Sequence, residues 1–170
     1  MKRIIIILIF LQFSIQVFSQ EFSAQQGGHC YSLEIPEYMT KTYQLNDVAT
    51  LQYQNTSKEA YVIVIEDNKD HLESVGMKFV DSKDFLEYFI TDYKIGTDKR
   101  KLSDITEFNS NNNKHAQVEL TWNEDDMDFY MLITAVETKT HFYKIMCWTS
   151  DNYTELLKND YLTISKSLKD

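Results

Sequence analysis

The chain has 170 residues, of which 43% are hydrophobic, 25% charged and 14% aromatic, a composition typical of one globular domain. With only 4 Gly and 1 Pro, it is neither collagen-like nor of low complexity. The formal net charge of −9 argues against a nucleic-acid-binding protein, because phosphate contacts need clustered Lys and Arg.

The first twenty residues have the layout of a secretory signal peptide. Lys2 and Arg3 form a basic start, residues 4–11 are continuously apolar, and modest side chains precede a cut ahead of Gln20. The alternative is an uncleaved membrane anchor, but polar residues interrupt the apolar run at about half the length that a span needs. We therefore predict a signal peptide over residues 1–19. The mature protein would be periplasmic or extracellular, with no stable membrane span.

The first half of the mature chain alternates between polar and β-forming segments. Residues 20–29 are polar and predict a flexible terminus, followed by a single domain over residues 30–170. Residues 31–35 and 49–54 alternate apolar and polar side chains, which predicts half-buried strands. The apolar, largely β-branched run at 60–65 predicts a central strand that is covered on both faces.

The apolar period changes from two to about 3.6 residues after a charged loop at 67–70. Asp81, or the serine that follows it, can cap a helix whose apolar stripe runs from Phe85 to Tyr93. Gly96 stops this helix. The three cations at 99–101 follow it, where positive charge complements the negative end of a helix.

The second half of the chain returns to strands and then ends in a helix. A strand begins near residues 105–108. Alternation at 117–122 and the hydrophobic strands at 129–136 and 142–148 predict an antiparallel meander joined by short polar turns. Thr149 or Ser150 can cap a final helix with an apolar stripe from Tyr153 to Leu168. Two helices must bury these stripes on the sheet. The predicted class is therefore α+β, an antiparallel sheet packed by two main helices in an α/β/α or α/β sandwich.

This order of segments resembles the PsbP-like family. The residues that carry the resemblance are 31–36 (YSLEIP), 45–47 (LND), 49–53 (ATLQY), 61–66 (YVIVIE), 143–149 (YKIMCWT) and 164–169 (ISKSLK). The resemblance covers about residues 30–170 and implies a PsbP-like α/β/α sandwich. The family has no shared catalytic motif, and its known members mostly act as binding or assembly factors. The resemblance therefore implies a non-enzymatic role.

Chemical motifs are few, and the acidic turn is the best metal candidate. The sequence has no phosphate-binding loop, hydrolase motif or EF-hand loop, so we predict no catalytic residue and no cofactor. Glu124, Asp125, Asp126 and Asp128 place four carboxylates within five residues, and calcium prefers converging oxygens. The alternative is a solvated hairpin tip, because the turn lacks the Gly of a dedicated loop.

Three hypotheses for function follow. The first is an exported, non-catalytic binding or assembly factor whose partner is another envelope or secreted protein. The second is a metal-assisted hydrolase of the cell envelope that uses carboxylates and His115. The third is a structural surface protein. Most aromatic side chains fall on the apolar faces of the predicted strands and helices, which indicates core packing. The alternative is an exposed aromatic patch that includes Tyr31, Tyr38, Tyr43 and Tyr53.

The two cysteines, Cys30 and Cys147, give the first testable prediction. In an oxidising compartment they can form one disulfide, which would tie the amino-terminal tail to the sheet if the first and last strands are neighbours. Such a bridge would contribute about 4–5 kcal/mol in the chain-entropy model. The alternative is two separate buried thiols. Non-reducing mass spectrometry of the exported chain distinguishes them: a bridge lowers the mass by two hydrogens, and two free thiols contradict it. The same mass shows whether the chain starts at Gln20.

Overall fold

The computed structural model describes residues 21–28 and 31–170. The strands are β1 (Phe22–Gly27), β2 (Tyr31–Pro36), β3 (Thr40–Lys41), β4 (Leu51–Asn55), β5 (Ala60–Asn68), β6 (Asp98–Leu102), β7 (Thr106–Ser110), β8 (Asn113–Glu124), β9 (Met127–Glu137) and β10 (His141–Ser150). The helices are α1 (Lys69–Ser74), α2 (Ser82–Asp92) and α3 (Thr154–Lys166), with a 3₁₀ turn at Asp151–Tyr153. No helix within the described ranges is long and apolar enough to cross a bilayer.

Eight of the strands form one antiparallel sheet. Its order is β3-β4-β5-β10-β9-β8-β6, and β7 also pairs with β8. Strands β8, β9 and β10 form the predicted meander, with Trp122 opposite Phe129 and Trp148 opposite Met131. Strand β5 lies inside the sheet between β4 and β10, as its β-branched run predicts. The hairpin β1-β2 is a separate two-stranded sheet.

Helices cover both faces of the large sheet, which confirms the predicted α+β sandwich. Because side chains alternate along a strand, β5 directs Val62 and Val64 to one face and Ile63 to the other. The first face is packed by α3 and the hairpin β1-β2, and Tyr161 of α3 is completely buried there. The second face is packed by α2, whose Leu86 is completely buried.

The amino-terminal segment differs from the sequence prediction of a flexible terminus over residues 20–29. Phe22–Gly27 form β1, which pairs with β2 along its whole length. Phe22 packs on the α3 side of the core, and this apolar contact orders a segment that is otherwise polar. Position 27 requires glycine, because a Cβ there would overlap the ring of Tyr31. The predicted signal peptide at 1–19 lies outside the described residues.

Two short elements, α1 and β6, differ from the sequence prediction. The charged segment at 67–70 is the end of β5 and the start of α1, whose first turn is capped by Asn68 accepting from the His71 amide at 3.0 Å. A helix of six residues has less than two turns, too few to show a helical period in the sequence. The cationic segment at 99–101 lies in the edge strand β6.

The ends of the two long helices test the predicted caps. Asp81 caps α2 as predicted, because its side chain accepts from the amides of Lys83 and Asp84. The predicted caps of α3 are wrong. Thr149 and Ser150 are the last residues of β10, and the 3₁₀ turn separates them from α3.

The predicted disulfide involves one residue that the structure describes. Cys147 is fully buried between the sheet and α3, and burial raises the pKa of its thiol. Cys30 lies outside the described residues, so the bridge stays a prediction. Its supporting argument is wrong, because β10 lies between β5 and β9, whereas β2 pairs with β1 and, through Ser32, with Lys169.

Candidate functional site

An apolar pocket of about 460 Å³ lies on the α2 face of the sheet, beyond the end of that helix. Its floor comes from four neighbouring strands, β5, β10, β9 and β8, and includes Ile63, Ile65, Met131, Met146, Trp122 and Trp148. Its walls are Phe89 and Tyr93 at the end of α2 and the loop residues Leu45 and Asn46. A mostly apolar pocket of this volume is typical of ligand-binding sites.

The two Trp residues of the chain, Trp122 and Trp148, both line this pocket. The Trp122 ring stacks on Phe129, with centroids 5.1 Å apart and planes 17° apart. The Trp148 ring stacks on Tyr61 at 5.2 Å and 17°. Each indole is therefore held by a second ring, so the floor is a fixed aromatic surface.

One end of the pocket carries an ion pair. Glu124 accepts from the Lys94 ammonium at 2.5 Å and from the Trp122 indole N–H at 3.1 Å. The Lys94 ammonium also lies 5.1 Å from the centre of the Trp122 ring. The bonds from Lys94 and then Trp122 hold the pKa of Glu124 below its usual range. Burial, and secondarily the charge of Glu124, raises the pKa of Tyr93 beside them.

The turn that presents Lys94 is fixed by a cation from the neighbouring strand. Helix α2 ends at Asp92, and Lys94 then takes a left-handed conformation with φ of 55°. Arg100 of β6 donates to the carbonyl oxygens of Ile90 at 2.6 Å and Tyr93 at 3.0 Å. A cation thus satisfies the free carbonyls at the end of α2, as the sequence predicts.

A buried glutamine fixes the loop on the other side of the pocket. Gln52 of β4 accepts from the amides of Leu45 at 2.9 Å and Asn46 at 3.1 Å, and it donates to the Asn46 carbonyl at 2.6 Å. The side chain of Asn46 in turn accepts from the amides of Val48 and Ala49. The pocket wall is therefore formed before any ligand arrives.

Three exposed apolar side chains lie in the chain segments that border the pocket. Val48 is 67% exposed in the loop after Asn46, Ile95 is 67% exposed after Lys94, and Met127, the first residue of β9, is 54% exposed. Each is close in sequence to a residue that lines the pocket, and we call these three residues the rim.

The structure does not bring the predicted acidic ligands together. Glu124 and Asp128 belong to adjacent register pairs of the β8-β9 hairpin, so their side chains point to opposite faces. Asp128 accepts from Lys99 at 3.2 Å, while Asp125 and Asp126 form the exposed turn. Among residues 21–28 and 31–170, no three His, Cys, Asp or Glu side chains are grouped to hold a metal.

His115 lies at the opposite end of β8 from the acidic turn. Along a strand, these positions are roughly 30 Å apart, so His115 and the carboxylates of the turn cannot share a metal. His115 is buried and stacks on Phe108, and its Nδ1 donates to the Asn113 carbonyl at 3.2 Å. Its Nε2 is buried without a hydrogen-bond partner in the described part of the chain. Burial lowers the pKa of this imidazole.

The tyrosines of the first hairpin region do not form a shared patch. Tyr31 and Tyr53 are buried in the core on the α3 face, as the packing explanation predicts. Tyr38 is half-buried and donates to Asp160 at 2.9 Å, whereas Tyr43 is 76% exposed. The aromatic surface of this molecule lies instead in the pocket, and sequence reasoning missed it. The one available signal was the presence of both Trp residues in the meander.

Comparisons with known proteins identify the fold. No family model matches the chain, and no curated protein matches it in sequence. Cyanobacterial PsbP (CyanoP) from Synechocystis sp. PCC 6803 is similar with a TM-score of 0.64 and 11% identity, over 91% of this chain and 95% of that one. LpqN, involved in cell envelope biogenesis of Mycobacterium tuberculosis, has a TM-score of 0.60 and 9% identity, over 89% and 91%. PA94 of Pseudomonas aeruginosa, a protein of unknown function, has 0.50 and 11%, over 83% and 91%.

The chain is therefore an α+β sandwich with an antiparallel sheet, a fold that occurs in solved structures of other proteins. It has the PsbP-like fold, which confirms the resemblance found in the sequence. Identities of 9–11% show the shared fold alone.

The loop clamp at Gln52 gives a prediction. Gln52→Leu removes the acceptor of two loop amides and should lower the free energy of unfolding by about 1–3 kcal/mol. We expect hydrogen exchange at the amides of Leu45 and Asn46 to accelerate, because both lose their bond to the side chain. The control is Gln54→Leu on the same strand, where the side chain makes no bond to this loop. Equal exchange rates in wild type and Gln52→Leu would contradict the clamp.

The buried imidazole gives a second prediction. Because the folded pKa of His115 is lowered, the unfolded chain takes up a proton that the folded chain resists once the pH falls below about 6.5. The stabilising contribution of neutral His115 is thus complete above that pH and is lost as the pH falls. Chemical unfolding at pH 7 and pH 5 should show a smaller loss of stability in His115→Gln than in wild type. The same loss in both proteins would show that His115 does not resist protonation.

Proposed function

We propose that this protein is an exported, non-catalytic binding or assembly factor. Its partner is another envelope or secreted protein, and the pocket between α2 and the sheet receives an apolar side chain of that partner. The observation that carries the proposal is the apolar pocket of about 460 Å³, with Val48, Ile95 and Met127 exposed in the segments that border it. Exposed apolar surface beside a pocket is typical of an interaction site on a folded domain.

A protein partner fits this surface better than a small molecule alone. The pocket offers a fixed, aromatic anchor site of the kind that dominates binding energy at protein interfaces. The rim side chains lie outside the pocket on three separate segments, where a ligand enclosed in the pocket would leave them in water. A polypeptide lying across the mouth would cover them.

Two further observations support the rest of the proposal. The layout of residues 1–19 supports export, and the fold is shared with LpqN, a protein involved in cell envelope biogenesis. The ion pair of the pocket is compatible with a binding role. Lys94 and Glu124 are bonded to one another and give the otherwise apolar pocket one charged contact point.

Rim substitutions test the proposed surface. We expect cross-linking in the envelope of the native host to recover one stoichiometric partner with the wild-type chain. Val48→Glu, Ile95→Glu and Met127→Glu should each lower that recovery about tenfold or more, because each places a charge in an apolar interface. Val75→Glu and Val80→Glu are matched controls. Both residues are similarly exposed, but they lie in the connection between α1 and α2 and do not line the pocket.

Folding of each variant is checked by thermal unfolding before capture. Equal recovery with rim and control variants would contradict the proposed surface. Specific turnover by the purified mature protein on a hydrolase panel would contradict the non-catalytic role.

A further inference from the structure

We infer that the docking segment of the partner is cationic, with a Lys or Arg beside the apolar side chain that enters the pocket. The positive group of the partner would bind the Glu124 carboxylate and the face of Trp122, and it would displace Lys94 from both. This inference rests on the proposed function and adds the chemistry of the occupant.

Four exposed aspartates are sequence neighbours of residues that line the pocket. Asp47 follows the loop residue Asn46, and Asp92 ends α2 directly before Tyr93. Asp125 and Asp126 follow Glu124 in the β8-β9 turn. Of the cations in this region, Lys144 lies over the Phe89 ring but is paired with Asp67, and Lys99 is paired with Asp128. The aspartates therefore favour a cationic segment over an anionic one, in keeping with the net charge of −9.

The position of Lys94 shows that an ammonium group fits this end of the pocket. Its Nζ bonds to Glu124 and lies over the Trp122 ring, so the site combines a carboxylate with an aromatic face. That combination stabilises cations, and a guanidinium stacks on an indole especially well. The protein therefore fills its own cation site while the partner is absent.

Lys94 can leave by rotation of its side chain alone. Arg100 holds the backbone of the turn between α2 and β6, while the Lys94 side chain is partly exposed and is held by its bond to Glu124. When a partner cation replaces it, the Lys94 ammonium returns to water, where it is well solvated. One ion pair is then exchanged for another, and the apolar contacts of the partner are added. An anionic segment would have to compete with Glu124 for Lys94 while approaching the exposed aspartates.

Three synthetic peptides test the inference on the full mature chain. They share the sequence Gly-Xaa-Leu-Xaa-Leu-Xaa-Gly with blocked ends, where Xaa is Arg, Ser or Glu. Because the peptides contain no aromatic residue, the fluorescence of Trp122 and Trp148 reports occupation of the pocket directly. We expect the Arg peptide to bind about tenfold more tightly than the Ser peptide, the effect of one charge-assisted contact, and the Glu peptide to bind most weakly.

Two variants locate the charge preference. Glu124→Gln should remove most of the tenfold advantage of the Arg peptide, leaving only the weaker attraction of the exposed aspartates, while the Ser peptide is unchanged. Lys94→Met should strengthen binding of the Arg peptide several-fold, because the internal competitor is gone. Glu155→Gln is the matched control, since this exposed carboxylate lies on α3 at the opposite face of the sheet and should change nothing.

The outcomes separate this inference from the proposed function. Equal affinity for the Arg and Ser peptides, or tighter binding of the Glu peptide, would overturn the cationic occupant while the pocket remains a binding site. An Arg preference that is unchanged in Glu124→Gln would also overturn it. If no peptide binds, the cationic occupant is again rejected, and the capture experiment with the rim variants decides the proposed function independently.

Discussion

The site depends on a difference in length between the helix and the strands that it covers. Helix α2 has 11 residues and is about 16 Å long, whereas β8, β9 and β10 have 10–12 residues and extend roughly 34–40 Å. A helix of this length packs on only part of its face of the sheet. Beyond the end of α2, the strands still direct apolar side chains to this face, because side chains alternate along each strand. The uncovered apolar side chains, among them Trp122 and Trp148, are the floor of the pocket.

An uncovered apolar floor would tend to be closed by nearby chain, and polar side chains prevent this by fixing the loops around it. Gln52 holds the loop at Leu45 and Asn46, and Arg100 holds the turn after α2. Both use bonds to backbone groups that no helix or strand satisfies. The loops therefore border the pocket without covering it, which is the preorganised state that favours binding.

Alternation and helical periods predicted most of the fold, because each long element buries one face. The meander, β5 and α2 follow directly from that pattern, and the PsbP-like resemblance supplied their arrangement. The sequence did not predict β1, α1 or β6, which are short and owe their order to contacts with distant residues such as the pairing of Phe22 with Pro36. The pocket was missed for a related reason. Alternation in the sequence shows which side chains lie on the apolar face of a strand. It does not show which of those side chains a helix covers.

The floor and the mouth of the pocket come from different kinds of chain segment. The fold alone therefore does not determine what binds there. The floor is made of strand residues whose direction is set by the register of the sheet. The chemistry at the mouth comes from the turn at Lys94, the loop after Leu45 and the β8-β9 turn. Strand pairing fixes the backbone of the β8-β9 turn, since Glu124 pairs with Met127, but it does not fix which side chains the three segments carry. At 9–11% identity the fold is shared while such loops are free to differ. In the proposed interaction, the preference for a cationic segment therefore depends on Lys94, Glu124 and the acidic side chains around them, and it is measured on this chain itself.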